Sequence, residues 1–208
     1  MRALSGSLFT YCALMFLSDV FWFFGIHGAQ ITAPFFMILF VTAGIDNQAA
    51  LASGQPVANI LTTGFLSYLT LGGAGNTAGL AVNMLLFSKS RRYRTLGRLA
   101  ILPSLCNVNE PILFGMPLIL NPLMAFPFFV LPQITIILTY IAMGAGLLGL
   151  PRLAMGTSGM PLFLDGLLMC GISGVVWQLI LIGITWAGYY PFFRIQDERA
   201  RREEQGET

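Results

Sequence analysis

The residues Asn107, Asn109 and Glu110 form one short polar cluster, immediately followed by the helix-breaking Pro111, in a chain that is otherwise intensely apolar. A carboxyl at membrane depth costs several kcal/mol, so it normally faces a cavity, a partner group or a transport pathway. Two amides beside it supply donors and acceptors in both directions. Hydrogen-bonded recognition of a polar solute is the chemistry that such a set offers, and Glu110 is its leading member. A competing reading keeps Glu110 structural, as an acid at the N-terminus of a helix beginning at Pro111.

His27 is the second candidate. It follows Trp22, Phe23 and Phe24 and is bracketed by Gly25 and Gly28. The glycines permit irregular backbone there and the aromatics offer flat faces, although a lone histidine in an apolar run is commonly a satisfied core residue. The third feature is the run Gly72-Gly73-Ala74-Gly75-Asn76-Thr77-Ala78-Gly79. Successive backbone N–H groups in such a turn can cradle an anion, but the run lacks the GK[ST] of a phosphate loop and the strand context of a dinucleotide fold. Close helix packing through small residues explains the glycines equally well, leaving Asn76 and Thr77 as the side chains placed to touch a ligand.

These groups sit in a chain made for lipid. Hydrophobic residues make up 56% and charged residues 10%, where a soluble domain carries about 25% charged residues, and the mean hydropathy is +0.75. Ahead of the last fifteen or so residues the acids are Asp19, Asp46, Glu110 and Asp165. Residues 4–24 and 167–193 form apolar runs long enough to cross a bilayer at ~20 residues each, the second with Trp177, Trp186, Tyr189 and Tyr190 near an interface. Residues 31–45, 57–71, 80–87 and 134–150 are shorter and interrupted by Gly, Pro, Asn and Asp. Broken segments at membrane depth must pack on protein or line a cavity, because lipid satisfies no backbone hydrogen bond. The fold class expected is therefore an all-α integral membrane protein with re-entrant, discontinuous helical hairpins.

Pro111 forces the preceding residue out of helical geometry, and the ten residues from Pro111 to Leu120 make about 15 Å of helix before the next break at Asn121-Pro122. With Pro117, Pro127 and Pro132 adding bends, the region reads as a hairpin with Asn107, Asn109 and Glu110 near its tip, the arrangement from which transporters build midplane sites. Residues 4–24 make a poor secretory signal, being too long, containing Asp19 and ending in aromatics; a retained helix is expected. Asp46, with Asn47 and Gln48, and likewise Asp165, read as surface turns, and Asp19 as an acid that pairs with a helix from outside this chain.

Lys89, Arg91, Arg92, Arg94 and Arg98 fall in one short segment, and Arg194, Arg199, Arg201 and Arg202 follow the last apolar run. Both clusters are placed in the cytoplasm by the positive-inside rule, ahead of roles in nucleic-acid or anionic-lipid recognition. Residues 196–208 read as a frayed or solvated end. Cys12, Cys106 and Cys170 are isolated in apolar settings and read as small buried hydrophobes. With a single histidine and no CxxC spacing, no metal site and no cofactor are expected.

Taken in order, Trp22 through Gly28, the turn from Gly72 to Gly79, Asn107-Val108-Asn109-Glu110-Pro111-Ile112-Leu113-Phe114-Gly115 with Asn121-Pro122, and Tyr189-Tyr190-Pro191-Phe192-Phe193 resemble the lactose, cellobiose and diacetylchitobiose family of IIC permeases of the bacterial sugar phosphotransferase system. The NEPxxFGxP segment is the most specific part. The resemblance implies a multi-pass protein of the inner membrane that binds a disaccharide and presents its C6 hydroxyl to a phosphocysteine on a separate cytoplasmic IIB phosphocarrier. It implies that His27 and Glu110 hydrogen-bond the reacting hydroxyl, one of them available to assist its deprotonation, while Asn107 and Asn109 suit the remaining hydroxyls. Membrane lipid is the surrounding partner and nucleic acid is not expected.

The same resemblance matches the carboxy-terminal, sugar-binding part of longer chains whose amino-terminal helices make a dimer interface. It implies a membrane domain over residues 1–193, a cytoplasmic tail over 194–208, and dimerisation or association with an amino-terminal half. Relatives tend to carry a tryptophan where this chain reads Gly156-Thr157-Ser158-Gly159, which leaves sugar identity open. Two other classes stand beside the permease. One is an ion-coupled secondary transporter using Asp19, Asp46 or Asp165; the other is a noncatalytic half-permease subunit.

Overall fold

A computed structural model describes residues 6–154 and 159–206, so residues 156–158 of the Gly156–Gly159 departure lie outside the described residues. Nine α-helices and no strand occur among the described residues: α1 (Leu8–Phe23), α2 (Gly28–Ala52), α3 (Thr63–Leu69), α4 (Ala78–Phe87), α5 (Arg91–Leu105), α6 (Glu110–Gly115), α7 (Pro122–Gly144), α8 (Leu162–Cys170) and α9 (Ile172–Gln205). A single 3-10 turn, Ala74–Asn76, joins the α3 and α4 arms. The expected all-α membrane architecture with broken hairpins is what is found.

Polarity is inverted relative to a soluble protein. Phe9, Leu86, Leu99, Leu102, Phe126 and Leu147 are exposed, whereas Asp19, Asn47, Asn76, Asn109, Asp165, Gln178 and Asp197 are buried. Helices α2, α7 and α9 are long and apolar enough to cross a membrane. Apolar side chains facing outward lose nothing in lipid, while a buried polar group is costly unless it finds a partner inside.

Several expectations drawn from the residues are corrected. The run 4–24 does not make a full crossing helix: α1 has 16 residues, starting after Ser7, whose hydroxyl accepts the Thr10 N–H, and spans about 24 Å. The short run 31–45 is instead the middle of the 25-residue α2. Asp46, Asn47 and Gln48 lie inside that helix and not in a turn, because the Asn47 amide donates to the carbonyls of Asn59 (2.7 Å) and Pro151 (3.0 Å) and accepts the Asn59 N–H (2.9 Å). Pro127 and Pro132, expected to bend a hairpin, both lie within the single 23-residue α7. Pro122 starts that helix, with Asn121 Oδ1 accepting the Leu123 N–H at 3.0 Å.

The run 167–193 is likewise two helices, α8 and α9, which meet at Gly171. Asp165 is not on a surface turn but fully buried in α8. Of the two readings of the end, the frayed one is overturned, since the chain is helical to Gln205, whereas its last described residues, 202–206, are exposed. Asp197 holds it down, accepting from the Ser88 hydroxyl (2.7 Å) and the N–H groups of Lys89 (2.8 Å) and Ser90 (3.1 Å), and Glu204 accepts from the N–H groups of Arg91 (3.0 Å) and Arg92 (2.9 Å). Both basic clusters therefore lie at one end of the molecule. Helix α5 buries Tyr93, Gly97, Ala100 and Ser104 along one stripe and turns its arginines outward.

Candidate functional site

Two interruptions of the helical ladder meet inside the bundle. The first is the glycine-rich turn between α3 and α4, and the second is the 106–109 break between α5 and α6. Asn107 sits in the left-handed region at φ +61°, which asparagine tolerates better than most residues. Its Oδ1 accepts the Gly72 N–H at 2.9 Å. Asn109 Nδ2 donates to the Ala74 carbonyl (2.8 Å) and to Thr77 Oγ1 (3.1 Å). The close approach requires glycine at position 73, where a Cβ would lie 2.5 Å from Asn109 Cγ. Small-residue packing thus accounts for the glycines without any anion.

Beside the joined tips opens a cavity of about 480 Å³, with Trp22, His27, Gln30, Asn107, Asn109 and Glu110 on its walls. That lies within the ~300–1,000 Å³ typical of small-molecule sites. The helix break is placed one residue earlier than the proline alone implied, since Glu110 already begins α6 and that helix ends at Gly115, well short of Leu120. The Glu110 carboxylate engages no described residue, so it is neither a cap nor an ion-pair member there. His27 caps α2, its Nδ1 accepting the Gln30 N–H at 3.4 Å. A neutral ring then carries its proton on Nε2. The ring packs on Trp22 with centroids 4.3 Å apart.

Four of the six residues singled out from the sequence, His27, Asn107, Asn109 and Glu110, thus share one cavity. Asn76 and Thr77 do not line it. Both are buried and engaged in the scaffold: Asn76 accepts the Leu71 N–H (3.1 Å) and donates to Thr135 Oγ1 (2.7 Å), and Thr77 donates to the Gly72 carbonyl (2.7 Å). Gln30 and Thr63 were not anticipated as wall residues. The spacing of Gln30 three residues after His27 was the available signal, since i and i+3 share a helix face. Cys106 is half-buried on the wall and not in a closed core. Asp19, Asp46 and Asp165 do not reach the cavity.

Residues 3–132 match the family described as the EIIC of the phosphotransferase system. The chain belongs to this family. The putative permease IIC component YwbA of Bacillus subtilis is 41% identical over 204 residues, covering 97% of this chain and 46% of that protein. The lichenan permease IIC component of the same organism is 37% identical, covering 97% and 44%. Among solved structures, the transporter ChbC, the IIC component from the N,N'-diacetylchitobiose-specific phosphotransferase system, superposes with a TM-score of 0.95 at 38% identity, covering all of this chain and 49% of that one. This EIIC chain therefore spans about half the length of the curated relatives it matches, and the cavity lies within that half.

Proposed function

We propose that this EIIC chain is the sugar-binding part of a phosphotransferase-system permease, taking a disaccharide of the chitobiose, cellobiose or lactose class and presenting its C6 hydroxyl to a IIB phosphocarrier. One observation carries the reading: Glu110, uncommitted to any described residue, faces the same cavity as His27. A carboxylate and an imidazole lining one cavity can grip one hydroxyl, orient it and take its proton as the phosphoryl group arrives. The Asn107 Nδ2 group, bonded to no described residue, is available to a neighbouring hydroxyl, and Trp22 closes the wall behind His27. Asn76 and Thr77 act one layer out, and Asn109, itself on the wall, uses its Nδ2 group to hold the tip that carries this surface.

Residues 1–193 form the membrane-embedded unit in this reading and 194–208 its cytoplasmic end. The junction of the two basic clusters, fixed by Asp197 and Glu204, puts both on one side, which the positive-inside rule makes cytoplasmic. Both IIB and the phosphorylated product belong on that side. An amino-terminal half completes the translocating machine by dimerisation or association.

The test is transport by membranes holding this chain, its amino-terminal half and phosphorylated IIB. Labelled diacetylchitobiose, cellobiose and lactose are supplied outside and sugar phosphate is measured inside. Product should form with an uncoupler present and stop when IIB is omitted. Accumulation of unmodified sugar that collapses with the uncoupler would show an ion-coupled transporter instead.

A further inference from the structure

Asp19 takes no part in the cavity wall, yet it is 1% exposed on α1 and its Oδ1 accepts the Gly75 N–H at 3.1 Å. The carbonyl of the same Gly75 accepts the hydroxyl of Tyr189, a buried residue of α9, at 2.6 Å. Gly75 lies in the left-handed region at φ +69°, and a Cβ there would run into the Phe128 ring. The middle of the glycine-rich tip is thus gripped on its donor side by α1 and on its acceptor side by α9.

One residue away, the Ala74 carbonyl receives Asn109, whose neighbour is Glu110. Three residues along α1 from Asp19 stands Trp22, which packs the His27 ring; i and i+3 share a helix face. Asp19 therefore ties the wall bearing His27 to the tip that orients the wall bearing Glu110. An apolar residue would fill the same space but leave a buried N–H without an acceptor, which costs more than the bond itself contributes.

We propose that Asp19 and Tyr189 are positioning residues that clamp Gly75 and so set the separation of the two candidate catalytic side chains. The inference rests on the permease reading for its purpose, but its geometry is tested without sugar. Cys106 is a built-in reporter, half-buried on the cavity wall and next to Asn107, which itself holds Gly72.

The experiment measures the maleimide labelling rate of Cys106 in membranes containing the full chain, with Cys12 and Cys170 replaced by Ser and Ala. Asp19→Leu should label about tenfold faster than the parent, as loss of one buried bond predicts. Asp19→Asn, which keeps an acceptor oxygen, should stay within about twofold, and Tyr189→Phe should be about threefold faster. Asp197→Ala, which weakens the far end of the molecule, should lower the melting temperature without changing the rate, separating clamp loss from general destabilisation. Unchanged labelling in Asp19→Leu, or equal acceleration in Asp19→Asn and Asp19→Leu, overturns the clamp. If Asp19→Leu does not reach the membrane, unchanged labelling in Tyr189→Phe overturns it. Saturating diacetylchitobiose should protect Cys106 in the parent and in Asp19→Asn; absence of protection in the parent counts against the sugar reading, while the labelling comparison still decides the clamp.

Discussion

Asp197, inside α9, meets the break between α4 and α5, and Glu110 stands at the break between α5 and α6; both are carboxylates, and their surroundings differ completely. Asp197 is buried and receives three hydrogen bonds from Ser88, Lys89 and Ser90, so both oxygens are engaged. Glu110 faces a cavity and engages no described residue. In a chain with so few acids, a carboxylate whose oxygens are consumed by backbone is scaffold, and one left open beside a void is a binding group. The same contrast separates the amides: Asn76 is closed on both sides by Leu71 and Thr135, whereas among the described residues Asn107 uses only its oxygen.

The largest expected effect is on chemistry at the open carboxylate. Glu110→Gln should lower sugar phosphorylation by about 10³-fold, within the range of a lost acid–base group, with the melting temperature unchanged. Equal activity would erase the distinction from Asp197. His27→Ala should cost about 10²-fold in the same assay and leave membrane insertion intact. The closed carboxylate should behave oppositely: Asp197→Ala should destabilise the folded protein by about 2 kcal/mol, since buried donors lose a charged acceptor, while sugar affinity is retained. Asn107→Ala should fall between, weakening sugar binding about tenfold, as expected for one hydrogen bond.

That contrast also explains how much could be read from the residues alone. The polar break before Pro111, the flanking glycines of His27 and the lipid-facing composition are local signals, and they pointed to four residues that now share one cavity. Asn76 and Thr77 misled because their partners are supplied by distant segments, Thr135 for one and the returning Asn109 for the other. Asp46-Asn47-Gln48 looked like a turn for the same reason: the acceptor that makes Asn47 at home inside a helix is the carbonyl of Pro151. Pro127 and Pro132 read as bends of a hairpin because propensity ignores the helices packed around α7, inside which both lie. Asp19 lacked a visible partner until the glycine-rich tip folded onto it.

Equilibrium binding of diacetylchitobiose and cellobiose to the purified chain, wild type against Glu110→Gln at matched thermal stability, bears most directly on whether the open carboxylate is completed by sugar. Saturable binding by the wild type that weakens at least about a hundredfold in the variant is the predicted result. Indistinguishable isotherms for the two proteins would contradict it.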